Sequence, residues 1–231
     1  MFLSSITLTI GTAAMLMANV LFVGVLGAGA QSFARETHGL SANASHRLAS
    51  VWSAQSRMGE TTYTMSNSNA VGMNLSGSTP LSAWTMNAHG ISGTAKMAVT
   101  HGQLRDINAL TFSLPVYNLK GPHSAMDDAA YRALKADQYK DIEFHLASAN
   151  VEPRGDHGYL VTAEGTLTVA GVTRAVTLTM HSHLSPDGSI TFTGAQNLRM
   201  SDYNVERPSL LFGVIKARDE MTLNYTLIFT K

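Results

Sequence analysis

The sequence contains no cysteine. That absence excludes disulfides, iron–sulfur clusters, thiolate zinc sites, cysteine nucleophiles and any lipid anchor on an N-terminal cysteine. Charge is scarce as well. Only 14% of the 231 residues are Asp, Glu, Lys or Arg, against roughly 25% in an average soluble domain. Sixteen basic residues balance sixteen acidic ones, so no basic stripe points to a nucleic-acid partner. No run of one sign forms a polybasic arm or an acidic tail. Catalytic motifs are missing too: there is no Gly-x-Ser-x-Gly elbow, no Gly-x-Gly-x-x-Gly and no P-loop. An enzyme is not expected, and no cofactor is implied. The 45% of hydrophobic residues makes disorder of the whole chain untenable.

No charged side chain precedes Arg35. From Ile6 to Ala30 the chain is apolar or small, and it closes on Ala28-Gly29-Ala30, a small-x-small pattern of the kind a signal peptidase reads. The run is also long enough to span a bilayer. Four glycines and Asn19 make it a poor permanent anchor, and the usual basic n-region is missing. Residues 1–30 are therefore expected to be a signal peptide, with an uncleaved anchor as the rival, and the protein periplasmic or secreted. Residues 31–60 read as a linker, in which Leu48, Val51 and Trp52 at i, i+3 and i+4 allow a turn or two of amphipathic helix.

From Tyr63 onward, apolar residues alternate with threonine and other polar residues, the mark of strands with one dry face and one wet face. Ile91 to Thr100, Leu110 to Tyr117, Ile142 to Leu146, Tyr159 to Val169, Val176 to His181, Ile190 to Met200 and Met221 to Thr230 all follow this rule. Fainter strands are expected at Thr62–Ser66 and Ala70–Ser76. Ala170-Gly171-Val172-Thr173 and Ser185-Pro186-Asp187-Gly188 read as hairpin turns. One break interrupts the strands. Met126, Ala130 and Leu134 are spaced by four between Ser124 and Asp137, with Ser124 and Asp127 as N-terminal caps. The expected fold is all-β: an antiparallel barrel of about eight strands over residues 61–231, with one inserted helix.

Such a barrel has an interior that side chains just fill, or that holds one small ligand. Met97, Met180 and Met200 are flexible inward candidates, beside Gly93, Ala95, Ala163, Gly165 and Gly194. Phe112, Phe144, Phe192 and Phe229 are the bulky ones, against which the small residues would pack in a filled core. Trp84 reads as a core residue, and Tyr131 with Tyr139 as packing the helix onto the barrel. The loop from Ser201 to Asp219 gathers Tyr203, Arg207, Lys216 and Arg218 around Phe212, which suits either an apolar mouth with nearby cations or a plug. His181 and His183 share a strand face at chelate spacing, and His145 is a candidate to share that face from another strand. No full metal-ligand set is assignable.

Four blocks carry a family resemblance. The run Met126-Asp127, Tyr131 to Tyr139 and Ile142-Glu143-Phe144 resembles the helix and following strand of the YceI-like family. Gly165 to Leu178 is similar to its central hairpin. Leu198 to Tyr203, with Phe212 to Lys216, is similar to its last loop and strand. Ser78 to Ala95 resembles an early segment of one branch. Ala170 departs from the His common in members before Gly-Val-Thr, and Ser82-Ala83 from a His-Asp pair. The resemblance implies an exported, lipocalin-like barrel with a long pore, binding an amphiphilic lipid such as an isoprenoid or an isoprenoid quinone. It implies contact with a membrane for ligand exchange. The ligand-binding residues expected on this reading are Trp84, Met97, Phe112, Tyr131, Leu134, Phe144, Leu167, Met180, Phe192, Met200, Tyr203 and Phe212. The alternative is a structural or stress-related barrel with a filled core that acts through protein contacts.

Overall fold

A computed structural model describes residues 59–66, 71–210 and 215–231. The stretches read as leader and linker lie outside the described residues, apart from Gly59 and Glu60.

The strands are β1 (Glu60–Met65), β2 (Gly72–Ser78), β3 (Ala83–Ala88), β4 (Ser92–Thr100), β5 (Gln103–Pro115), β6 (Leu119–Lys120), β7 (Asp141–Pro153), β8 (Gly158–Val169), β9 (Val172–Leu184), β10 (Ile190–Arg199), β11 (Ser209–Leu210), β12 (Ile215–Lys216) and β13 (Glu220–Thr230). Helix α1 (Ser124–Ala133) lies between β6 and β7, and a 3₁₀ turn (Met200–Tyr203) follows β10. Eight antiparallel strands close a barrel in the order β1-β4-β5-β7-β8-β9-β10-β13, with β13 returning to β1 through Thr64↔Thr230 and Met65↔Phe229. Closure removes the sheet edges that an open sheet would expose.

Strand β13 is forked. Along one side it pairs with β10 for its whole length. Along the other, only its last residues meet β1, while Met221–Thr226 pair with β2. Strand β2 pairs with β3, and β3 with the short β6. The two ends of the barrel are therefore walled by different strands: β1 and β4 at one, β2, β3 and β6 at the other. Helix α1 packs on β6 at the second end.

Period-two burial explains the long strands. In β8, Tyr159, Val161, Ala163, Leu167 and Val169 are buried while the threonines between them are partly exposed. The β8–β9 turn is two residues, Ala170 and Gly171, both at positive φ (48° and 78°), with Val169 opposite Val172. That is the backbone a type I′ hairpin needs. A Cβ on Gly171 would lie 2.3 Å from the Tyr139 ring, so only glycine fits beneath that tyrosine.

The structure corrects the sequence reading in three places. Strand β3 was not expected as a strand. Strand β5 starts at Gln103 rather than near Leu110, because Leu104, Ile107 and Leu110 are buried at a spacing of three. Register shifts against β4 at Lys96/Met97 and Ala98/Val99 produce that spacing, so a true strand loses its period of two. Helix α1 stops at Ala133 rather than Asp137; Lys135, at φ 53°, takes the chain out of helical conformation. Its N-cap is His123, with no side-chain cap bond, not Ser124 or Asp127. Asp127 turns back instead: Gly121 N–H donates to its Oδ1 at 2.6 Å, and Lys120 Nζ lies 3.4 Å from Oδ2.

Candidate functional site

The barrel interior has a packed half and a looser half. At the β1/β4 end, Tyr63, Met97, Leu104, Val161, Ile190, Phe192 and Phe229 are all fully buried. Phe192 and Phe229 meet edge to face at 5.8 Å.

Above this floor lies an apolar cavity whose void is about 20 Å³. Its walls come from β5, β7, β8 and β9 as Leu110, Phe112, Phe144, Leu167, Val176, Leu178 and Met180, and from β10, β13 and β2 as Phe192, Gln196, Leu223, Tyr225, Leu227 and Met73. The lining has no charged side chain. Phe112 and Phe144 stack at 5.5 Å with their planes 13° apart. Two of the wall aromatics rest on glycines. A Cβ on Gly165 would lie 2.7 Å from the Phe144 ring, and one on Gly194 would lie 2.4 Å from the Tyr225 hydroxyl. A side chain at either position would collide with the ring that lies over it. Burial pushes the Tyr225 hydroxyl pKa up to about 12, and the hydroxyl has no hydrogen-bond partner.

Toward α1, a second apolar pocket of about 90 Å³ lies between β3, the helix and the chain around β12. Trp84, Met86, Met126, Ala130, Pro208 and Ile215 are among its walls. Trp84 lies over its cross-strand partner Gly77, where a Cβ would come within 2.3 Å of the indole. Beside this pocket, Arg132, Lys135 and Arg207 line a surface groove together with Glu206.

Of the residues expected to bind ligand, Phe112, Phe144, Leu167, Met180 and Phe192 line the cavity, and Trp84 lines the pocket near α1. The others stand elsewhere. Met97 belongs to the packed end, opposite Ile107. Met200 and Tyr203 are buried in the 3₁₀ turn. Ser201 pins this turn to the start of β13 by donating its N–H and hydroxyl to Asp219. Tyr131 is a clamp between α1 and the barrel: its hydroxyl is shared between the carbonyls of Tyr117 (2.8 Å) and Leu119 (2.9 Å), and Lys120 Nζ sits 5.2 Å from its ring centre. Leu134 is a half-buried residue packed on the core. Phe212 lies outside the described residues.

Sequence reasoning missed Met73, Leu110, Val176, Leu178, Gln196, Leu223, Tyr225 and Leu227 as wall residues. Six of them, all but Met73 and Gln196, were visible as inward positions of alternating strands, but alternation gives a face and not a depth. His181 and His183 are both exposed on β9. His145 is opposite Thr166 of β8, six residues along that strand from Leu160, the partner of His181. At about 3.3 Å per residue the three imidazoles do not converge. No group of three metal-ligating side chains occurs among the described residues.

Residues 52–229 match the YceI-like domain. The match begins at Trp52, inside the stretch expected to be a linker. The crystal structure of BcnA from Burkholderia cenocepacia superposes with a TM-score of 0.56 at 17% identity, covering 69% of this chain and 96% of BcnA. A polyisoprenoid-binding domain from Saccharophagus degradans, implicated in plant cell wall breakdown, superposes with a TM-score of 0.55 at 11% identity, covering 72% and 97%. At these identities the two structures speak for the fold. No curated protein matches the chain.

Proposed function

The chain belongs to the YceI-like domain family, and from that premise we propose that it is an exported protein that carries or sequesters an amphiphilic apolar ligand, of isoprenoid or fatty-acyl type, without chemistry. The observation that carries this reading is the cavity lined without a charged side chain above a packed floor. The polyisoprenoid-binding domain that shares the fold supports the isoprenoid class, and the apolar run from Ile6 to Ala30 supports export with cleavage after Ala30.

A void of about 20 Å³ is water-sized, so a lipid chain enters only by displacing wall side chains. Met73 and Met180 are the flexible ones, since an unbranched thioether side chain repacks readily. Each methylene taken from water contributes about 0.8 kcal/mol. Several isoprene units thus gain enough to offset association costs of about 4–15 kcal/mol.

The same small void favours a second reading, a filled barrel that works through its outer surface. One experiment separates the two. The full chain is exported from a bacterial host with its own leader and examined by native mass spectrometry, followed by displacement of a hydrophobic fluorescent probe. A start at Gln31, a lipid-sized adduct and saturable one-to-one displacement by prenyl lipids are expected. An apo mass with no saturable displacement would overturn carriage in favour of the filled barrel.

A further inference from the structure

Tyr225, with Gln196, is one of two polar residues in the cavity wall. The residue is 6% exposed, its hydroxyl is wholly buried, and that oxygen has no hydrogen-bond partner. Leaving a buried hydroxyl unpaired is unfavourable, and phenylalanine would fill the same volume without that cost. The backbone is also shaped to admit the group. Tyr225 is the register partner of Gly194, and its ring lies across that glycine, whose partner on the far side is Met180. Any larger residue at position 194 would collide with the hydroxyl end of the ring.

Among the described residues two other buried hydroxyls lack partners, Tyr63 and Ser182. Neither lines the cavity; both are locked in the packed half. Tyr225 alone of the three stands at the void. A water there would find little to hold it, since a buried water typically makes about three hydrogen bonds. The other polar wall residue is Gln196, whose amide nitrogen already donates to Asn197 O.

We propose that the Tyr225 hydroxyl donates a hydrogen bond to a neutral oxygen of the bound ligand, so that the ligand is an oxygenated prenyl or acyl chain held with its oxygen inside the barrel and its tail toward α1. This inference rests on the carriage reading above. The oxygen is uncharged because no cation lines the cavity among the described residues, and a buried carboxylate without a partner is strongly disfavoured. Ketone, quinone, ester and alcohol oxygens fit; a free carboxylate does not. The raised pKa keeps the hydroxyl protonated, and so a donor, across the physiological range. The orientation follows from depth, because Leu227 and Phe192 close the floor one register step below Tyr225 and Gly194.

The test uses the full chain and three probes: farnesylacetone (a ketone), farnesene (a hydrocarbon) and palmitate. The wild type is expected to bind the ketone more tightly than the other two. Tyr225→Phe is expected to weaken ketone binding by roughly 5- to 30-fold and farnesene binding by less than about twofold. The infrared carbonyl stretch of bound farnesylacetone provides an independent readout. It is expected to shift to lower frequency in the wild type and to return in Tyr225→Phe. Equal binding of ketone and hydrocarbon, unchanged by Tyr225→Phe, would overturn the role of Tyr225 and leave carriage standing. Tightest binding of palmitate would overturn the neutral-oxygen assignment. No binding of any probe to the wild type would overturn carriage and this inference together.

Discussion

The two ends of this barrel are built from the same alternating strands but put them to different use. At the β1/β4 end, large side chains interdigitate and leave almost no accessible surface. At the β2/β3/β6 end, Val176, Leu198, Met221 and Leu223 are inward-facing yet only partly buried, and a helix packs alongside. The difference comes from the fork in β13. Where it meets β1 the ring closes directly; where it leaves β1 for β2, two more strands must complete the wall. The packed end supplies stability, and the looser end is where a guest can displace side chains.

The largest expected effect follows directly from that contrast. Phe229→Ala at the packed end should destabilise by about 3–5 kcal/mol, and Leu223→Ala, half-buried at the other end, by about 1–2 kcal/mol, as read by denaturant unfolding. Equal losses would erase the distinction between the ends. Next come the glycines. A Cβ on Gly165 would meet His145 O at 2.4 Å as well as the Phe144 ring, whereas one on Gly72 meets nothing within 4 Å. Gly165→Ala should cost about 1–3 kcal/mol, and Gly72→Ala should stay within about 0.5 kcal/mol. A costless Gly165→Ala would mean that the Phe144 wall is soft.

The titration of the tyrosines tests both ends together. Burial raises the pKa of Tyr63 and of Tyr203, and takes that of Tyr225 to about 12. In the unfolded chain these phenols ionise near 10. Their folded forms hold the proton longer, so their contribution is whole below about pH 10 and is lost as the pH rises toward the folded values. Stability should fall across that alkaline window, less steeply in Tyr225→Phe. The smallest effect is at neutral pH. Tyr63→Phe and Tyr225→Phe each remove an unpaired hydroxyl and should raise stability by about 1 kcal/mol or less. Only Tyr225→Phe should alter ligand affinity.

Much of the fold was legible because β8, β9, β10 and β13 keep strict alternation and Ala170-Gly171 marks its hairpin. The parts that were not legible have physical reasons. In β5 the register shifts put Leu104, Ile107 and Leu110 on one face at a spacing that reads as helical. Strand β3 is six residues, with Thr85 and Asn87 between its inward positions and no aliphatic β-branched residue to mark it. Asp127 looked like a cap because its spacing suited one, and spacing does not reveal that Gly121 N–H waits behind it. The site was legible as a set of inward faces. Which of those faces border a void depends on where glycines let rings lie flat, and that is a property of neighbouring strands and not of any one segment.

The forked strand also governs when this protein can fold. β13 comes last in the chain, yet it joins the far earlier β1 and β2 to β10; Asn224 reaches Asn74 across 150 residues of sequence. Until β13 is present, three strands keep unsatisfied edges, and such edges invite pairing with other chains. Closure by so distant a contact is slow in comparison with hairpin formation. Local hairpins such as β8–β9 have time to form first, and the last strand then acts as the closing stitch, converting a row of hairpins into a vessel in a single step.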